Sequence, residues 1–258
     1  MTGGIGNVGN TCYVNTALQC LGHCRPFQHY ILDACHQKRD NLVMQLHELY
    51  NEILVNNNSV IPKKFMRYLR ESITSIEVYQ QNDINEFLSA FIDKLNQLVC
   101  SKVTVTKADL MKKFKYTTSD FDMQRFKMDV SWFEKTGKEY SPFIPIFHGQ
   151  SISQIVCGHC QKIFHNYEIY FNMMVPITPT TVTLYDCLNE YFKEEIINSD
   201  EALWTCDGCK QNKRSVKTTK LWRNPQVLII SLKRFTHDLK KNSTPVEVPN
   251  VLDMSKYT

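Results

Sequence analysis

Apolar residues recur at helical spacing through the first hundred positions and at strand spacing further on. Val14, Ala17, Leu18 and Leu21 stand at i, i+3, i+4 and i+7, which predicts one buried helical face. Leu42, Leu46, Leu49, Tyr50 and Ile53 predict a second helix, closed by the turn-prone run Asn56-Asn57-Asn58-Ser59. Pro62 suits the first turn of a short helix carrying Phe65 and Leu69. The clearest stripe is Ile84, Phe87, Leu88, Phe91, Ile92, Leu95 and Leu98, and Asp83 with Glu86 has the form of a capping box at its start. Residues 101–131 are rich in charge and poor in period, so a variable, partly flexible insertion is expected there. From Ile144 the character turns to strand. Ile163, Tyr167, Ile169, Phe171, Met173 and Val175 alternate with mostly polar neighbours, as in a half-buried strand. Leu184, Cys187, Leu188, Tyr191 and Phe192 predict one more helix, and Val227 to Leu232 a central strand. Internal repeats are absent. The pattern is that of an α+β protein, a helical half followed by antiparallel strands.

Composition narrows the picture modestly. A chain of 258 residues with 43% hydrophobic content can bury a substantial core. The net charge of +4 makes no case for nucleic acid or membrane as partner. No apolar run approaches the roughly 20 residues that span a bilayer, and the first ten residues lack the pattern of a secretory signal. Ten cysteines could mean disulfides, but four of them form two CxxC pairs and a fifth opens a helix. That usage fits a reducing compartment, so an intracellular protein of cytoplasm or nucleus is expected.

The fifth cysteine is the first candidate for chemistry. Asn10 or Thr11 is placed to cap the helix, so Cys12 falls in its first turn. Unpaired N–H groups and the positive end of the helix dipole favour a thiolate there. Asn7, five positions earlier, offers a side-chain amide to a tetrahedral oxyanion. Gly6 and Gly9 allow tight backbone beside a substrate chain. The alternative is a structural cysteine in a capped helix.

The second candidate is a metal site. Cys157 and Cys160 form one pair, Cys206 and Cys209 another, with 45 residues between them. Each pair can place two thiolates on one ion, and four complete a closed tetrahedral, structural zinc site. A redox-active CxxC is the alternative. A nucleic-acid-binding zinc ribbon is the other, since Lys210, Lys213, Arg214, Lys217 and Lys220 follow the second pair. The long spacer and the spread of those charges favour a solvated hairpin face instead.

Four segments in order carry a resemblance. Gly4 to Leu21 (GIGNVGNTCYVNTALQCL) resembles the cysteine box of the ubiquitin-specific proteases. Gln81 to Leu88 (QNDINEFL) looks like their glutamine box, with Asn82, Ile84 and Asn85 as departures. The CxxC pairs occupy the place of their zinc-binding fingers, and Leu228 to Phe235 with Val248 to Tyr257 resemble a strand and turn of their sheet. The resemblance implies a cysteine-type deubiquitinase that hydrolyses isopeptide or peptide bonds after the C-terminal glycine of ubiquitin, with ubiquitin and ubiquitinated proteins as partners. It implies a papain-like fold: a helical thumb over 1–100, the insertion at 101–131, zinc-held β fingers over 144–226 and the start of a palm sheet over 227–258. It also places Gln81 and Asp83 near the channel for the ubiquitin tail, although helix capping alone would explain Asp83. Asn10 and Gln19 match as well, with capping and solvent exposure as their simpler readings.

A cysteine nucleophile needs a base, oriented by a third group. The family takes both from a Gly-His-Tyr motif and a later Asp or Asn, which lie beyond the equivalent of Tyr257. His23, eleven residues past Cys12, would be about 16 Å away along one helix. His29, His36 and His47 belong to the helical half, and His148, His159 and His165 to turns and strands. His237 is the least implausible stand-in. The expectation is therefore a domain truncated before its histidine box, poorly soluble by itself because its sheet lacks later strands. A second chain supplying the histidine strand, or a non-catalytic ubiquitin-binding module, are the alternatives.

Overall fold

The computed structural model describes residues 3–34, 40–102, 106–114, 116–117, 119–136, 139–197, 204–235, 238 and 240–258. By its internal contacts the chain divides into two units, Met1–Phe147 and His148–Thr258.

The first unit is helical because its apolar stripes are helical. Helix α1 (Cys12–Gly22) buries Val14, Ala17, Leu18 and Leu21, the face expected from spacing. The short α2 (Arg25–His29) carries Pro26 in its first turn, where the missing N–H costs nothing. Helix α3 (Asn41–Tyr50) is capped by Asp40, whose carboxylate accepts from the N–H of Leu42 and Val43. It winds on as a π-helical turn over Asn51–Val55. Helix α4 (Lys63–Ser72) turns Phe65, Met66 and Leu69 inward and its lysines and arginines outward. Helix α5 (Ile84–Val99) buries Phe87, Phe91, Ile92 and Leu95. Fully buried aromatic rings join these elements. Phe27 lies 6.1 Å from Tyr50, 5.4 Å from Phe143 and 5.5 Å from Phe147, centroid to centroid. Each such side chain withdrawn from water contributes about 1.5–3 kcal/mol.

The described residues of the segment expected to be a variable, partly flexible insertion include regular elements. It holds β1 (Ser101–Lys102), α6 (Lys107–Phe114) and the seventeen-residue α7 (Asp120–Thr136), which buries Met128 and Trp132. Strand β2 (Glu139–Tyr140) pairs antiparallel with β1. Strand character does not begin at Ile144, because α8 (Phe143–Phe147) packs that apolar run as a helical turn.

The second unit is built on β3 (Gly149–Val156), β4 (Ile163–Tyr170), β5 (Asn172–Pro176), α9 (Leu184–Tyr191), β6 (Glu195–Ile197), β7 (Ser215–Arg223) and β8 (Ile229–Lys233). Four strands form an antiparallel sheet in the order β4-β3-β7-β6, with Val156 opposite both Ile163 and Val216. The alternating run 163–175, expected as one strand, breaks at Phe171 into two. Its second half, β5, leaves that sheet and pairs parallel with β8, Asn172 opposite Ile229. Parallel neighbours need a crossover, here the excursion through α9, β6 and β7. Met173, Val175, Leu184, Cys187, Leu188, Leu221 and Tyr257 make the core of this unit. Tyr257 is held there by stacking on Phe192 at 4.8 Å and by donating to Asn189 Oδ1 at 2.9 Å. The whole is mixed helix and sheet, the α+β class that the sequence implies.

Candidate active site and metal centre

Cys12 is the first residue of α1 and is exposed. The chain reaches it through a tight turn in which Gly9 has φ of 109° and Asn10 φ of 51°. A left-handed pair of this kind suits glycine and asparagine. Thr11 stands at the cap position, but its hydroxyl does not cap the helix as expected. It accepts from Val8 N at 3.2 Å and donates to Asn7 Oδ1 at 2.9 Å. Asn7 Oδ1 also accepts from the N–H of Gly9 at 3.0 Å and Thr11 at 3.2 Å. Three donors on one atom fix which end of the amide is oxygen. The two N–H of Asn7 Nδ2 are left unpartnered among the described residues, on an exposed side chain.

The segment before this turn is held by α1 itself. Asn15 Nδ2 donates to the carbonyls of Ile5 and Gly6, and Gln19 Nε2 to that of Gly3. Gln19 is thus a tether, not a solvated side chain. Gly6 N donates to Val60 O at 2.8 Å, and a Cβ there would meet Ile61 Cγ1 at 3.2 Å. Its smallness serves the neighbouring 60–61 segment.

The glutamine-box-like segment docks beside α1. The Tyr13 hydroxyl donates to Val78 O at 3.2 Å and accepts from Asn82 Nδ2 at 3.1 Å. The Tyr13 ring meets Phe87 edge-on at 5.5 Å. Asp83 caps α5, accepting from Asn85 N at 2.7 Å and Glu86 N at 3.3 Å. Gln81 and Asp83 are both exposed. Two grooves flank the 73–80 loop, one of about 410 Å³ along Arg70, Glu77 and Tyr79, the other of about 680 Å³ along Glu86, Ser89 and Asp93. Neither is lined by Cys12, Asn7, Gln81 or Asp83.

Two histidines of this unit have partners other than Cys12. His23 Nδ1 lies 2.6 Å from Gln19 O, and His29 Nδ1 pairs with Asp33 at 2.6 Å. In the second unit His165 stacks on Tyr167, and His148 packs against Phe171. His36 and His237 lie outside the described residues.

The two CxxC pairs meet. The Sγ atoms of Cys157, Cys160, Cys206 and Cys209 all lie within 4.8 Å of one another, at the end of the sheet where β3 stops and β7 begins. Both turns are built alike. Cys157 O accepts from Gln161 N at 3.0 Å and Cys206 O from Lys210 N at 2.7 Å, with φ of 58° at Gln161 and 57° at Lys210. The N–H groups of Cys160 and His159 hold the Cys157 thiol down to about 6. Cys209 is pushed up to about 11, because desolvation and the other three sulfurs outweigh the Gln211 N–H. Four crowded thiols cannot all ionise without a cation among them, and a closed four-sulfur set fits one.

A family model described as ubiquitin carboxyl-terminal hydrolase matches residues 3–258. The chain belongs to the ubiquitin carboxyl-terminal hydrolase family. It is 28% identical to ubiquitin carboxyl-terminal hydrolase 4 of Eremothecium gossypii over 98% of its length and 32% of that relative. With Usp2 of Drosophila melanogaster it shares 28% over 98% of its length and 27% of the relative. With human ubiquitin carboxyl-terminal hydrolase 2 the figures are 27%, 93% and 41%. The chain thus spans about a third of the curated relatives it matches first. Its fold is that of Ubp8 in the SAGA DUB module Ubp8/Sgf11/Sus1/Sgf73 bound to ubiquitin aldehyde, with a TM-score of 0.72, 21% identity, and 100% and 53% of the two chains covered. A structure of the same module with monoubiquitin gives 0.72, 20%, 100% and 54%.

Within this family member, the tie between Tyr13 and Asn82 is what sequence reasoning missed. The partners are 69 residues apart, and no periodicity joins them. The one available signal was a tyrosine directly after the cysteine, on the buried side of a helix.

Proposed function

We propose that the chain acts as a cysteine-type deubiquitinase domain on the bond after the C-terminal glycine of ubiquitin. The observation that carries the reading is the Asn7 amide. Its oxygen is consumed by the turn that delivers Cys12, so its N–H donors remain for an oxyanion. In this mechanism the Cys12 thiolate attacks the glycine carbonyl carbon. Asn7 Nδ2 and the Cys12 backbone N–H take the negative charge that develops on oxygen. Collapse expels the lysine or α-amine, which takes up a proton, and water then cleaves the thioester. The general base is assigned to a histidine that none of the described contacts brings to Cys12. Gln81 and Asp83, exposed beside the docked loop, are assigned to the ubiquitin tail.

The four cysteines are assigned a structural zinc, which would tie the β3–β4 turn to the start of β7 and supply no open position for catalysis. Thumb, fingers and palm are assigned to 1–100, 144–226 and 227–258. A thiol cluster and an unprotected nucleophile are stable in a reducing compartment, so the proposed setting is cytosol or nucleus.

Hydrolysis of a fluorogenic ubiquitin C-terminal amide tests the reading. Where a histidine base is supplied, by this chain or by a second one, turnover that Cys12→Ala abolishes is expected. Equal turnover by that variant would overturn it, and ubiquitin binding without turnover would favour a binding module.

A further inference from the structure

The residue after the nucleophile is tied to the residue between the two tail-binding candidates. Tyr13 is 8% exposed, with its hydroxyl between Val78 O and Asn82 Nδ2. Asn82 Nδ2 also lies 3.0 Å from both Glu77 O and Gln80 O, so its two N–H are shared among three acceptors. One amide therefore closes the 77–80 turn and fastens it to α1. Gln81 and Asp83 flank that amide, and Asp83 starts α5. Cys12 precedes Tyr13 directly. The offset between nucleophile and tail channel is thus fixed at one hydroxyl, through its bonds to Val78 O and Asn82 Nδ2, whereas the apolar contact of Tyr13 with Phe87 holds the ring.

We propose that Asn82 and Tyr13 are positioning residues, setting Cys12 against the segment of Gln81 and Asp83. This rests on the proposed function. Asn82 departs from the glutamine-box pattern, so the device belongs to this chain's own residues. Loss of the bond leaves Cys12 chemically intact and the Tyr13 ring packed, but lets the two halves of the site drift. Displacements of about an ångström suffice to slow a reaction many-fold.

The test compares the full chain with Tyr13→Phe, Asn82→Leu, the double variant and Asn82→Gln. Three rates or constants are read: labelling by ubiquitin carrying a C-terminal electrophile, alkylation of Cys12 by iodoacetamide, and ubiquitin affinity. Each single variant is expected to slow ubiquitin labelling about tenfold, with no further loss in the double. Asn82→Gln, which keeps an amide donor, restores most of the rate. Iodoacetamide alkylation and affinity stay within about twofold, since neither needs the alignment. Parental labelling rates in both single variants would overturn the inference alone. Equal slowing of iodoacetamide would also overturn it, reducing the bond to a structural one. No labelling of the parent chain would overturn the proposed function and this inference with it.

Discussion

At the scale of single residues, one atom swap separates the turn-forming role of Asn7 from the oxyanion role proposed for it. Its oxygen organises the Gly9–Thr11 turn, and its N–H groups point to no described partner. Asn7→Asp keeps the acceptor and removes the donors. We expect it to lower ubiquitin-amide turnover by about 10²–10³ while the thermal midpoint moves little. Asn7→Ala is expected to lose both rate and stability. Kinetics paired with a melt distinguish the two variants. That Cys12 opens a helix just after a turn was legible in the sequence, because Gly9, Asn10 and the apolar stripe from Val14 bracket it. The Tyr13–Asn82 bond was not, since only the packing of α1 against the 77–83 loop creates it.

Elements add what single residues cannot. Asp83 serves α5 as its cap, which explains its place without any substrate. Asp83→Ala is expected to cost about 1 kcal/mol in chemical denaturation, whereas Asp83→Asn keeps the cap and removes the charge. A weaker ubiquitin affinity in Asp83→Asn at unchanged stability would assign the carboxylate to the tail. No change in affinity would leave it a cap. In α9 the N–H groups of Thr183 and Val182, with the Thr183 hydroxyl, lower the Asp186 carboxyl below its ordinary 3.8. A carboxyl lowered on folding stabilises above its unfolded value and ceases to as pH falls through its folded one. The stability gap between the parent and Asp186→Ala, present at neutral pH, should therefore close below about pH 4. A gap that persists in acid would show that the loss is packing alone. Helix α7 escaped the sequence reading because Phe121 and Met123 are exposed and only Met128, Asp129 and Trp132 are buried, which blurs the stripe. Asp120 and Asp122 in its first turn with Lys135 in its last were the signal overlooked.

For the whole molecule, the order of motifs revealed the family, but pattern alone did not reveal the sheet. An alternating run does not say where a strand changes partners, so the break at Phe171 and the parallel pairing of β5 with β8 came only with the structure. The cysteine pairs were a safer guide, because two CxxC turns have few ways to be useful apart. We expect one zinc per chain by elemental analysis. Cys206→Ser should lose it and lower the melting temperature, and an unchanged metal content would contradict the four-sulfur site. The central claim remains the nucleophile. The most direct measurement is peptide mapping by mass spectrometry after treatment with ubiquitin bearing a C-terminal electrophile. One ubiquitin per chain, attached at Cys12 and absent from Cys12→Ala, is the predicted result. An adduct at another cysteine, or none on a chain that alkylates normally with iodoacetamide, would contradict it.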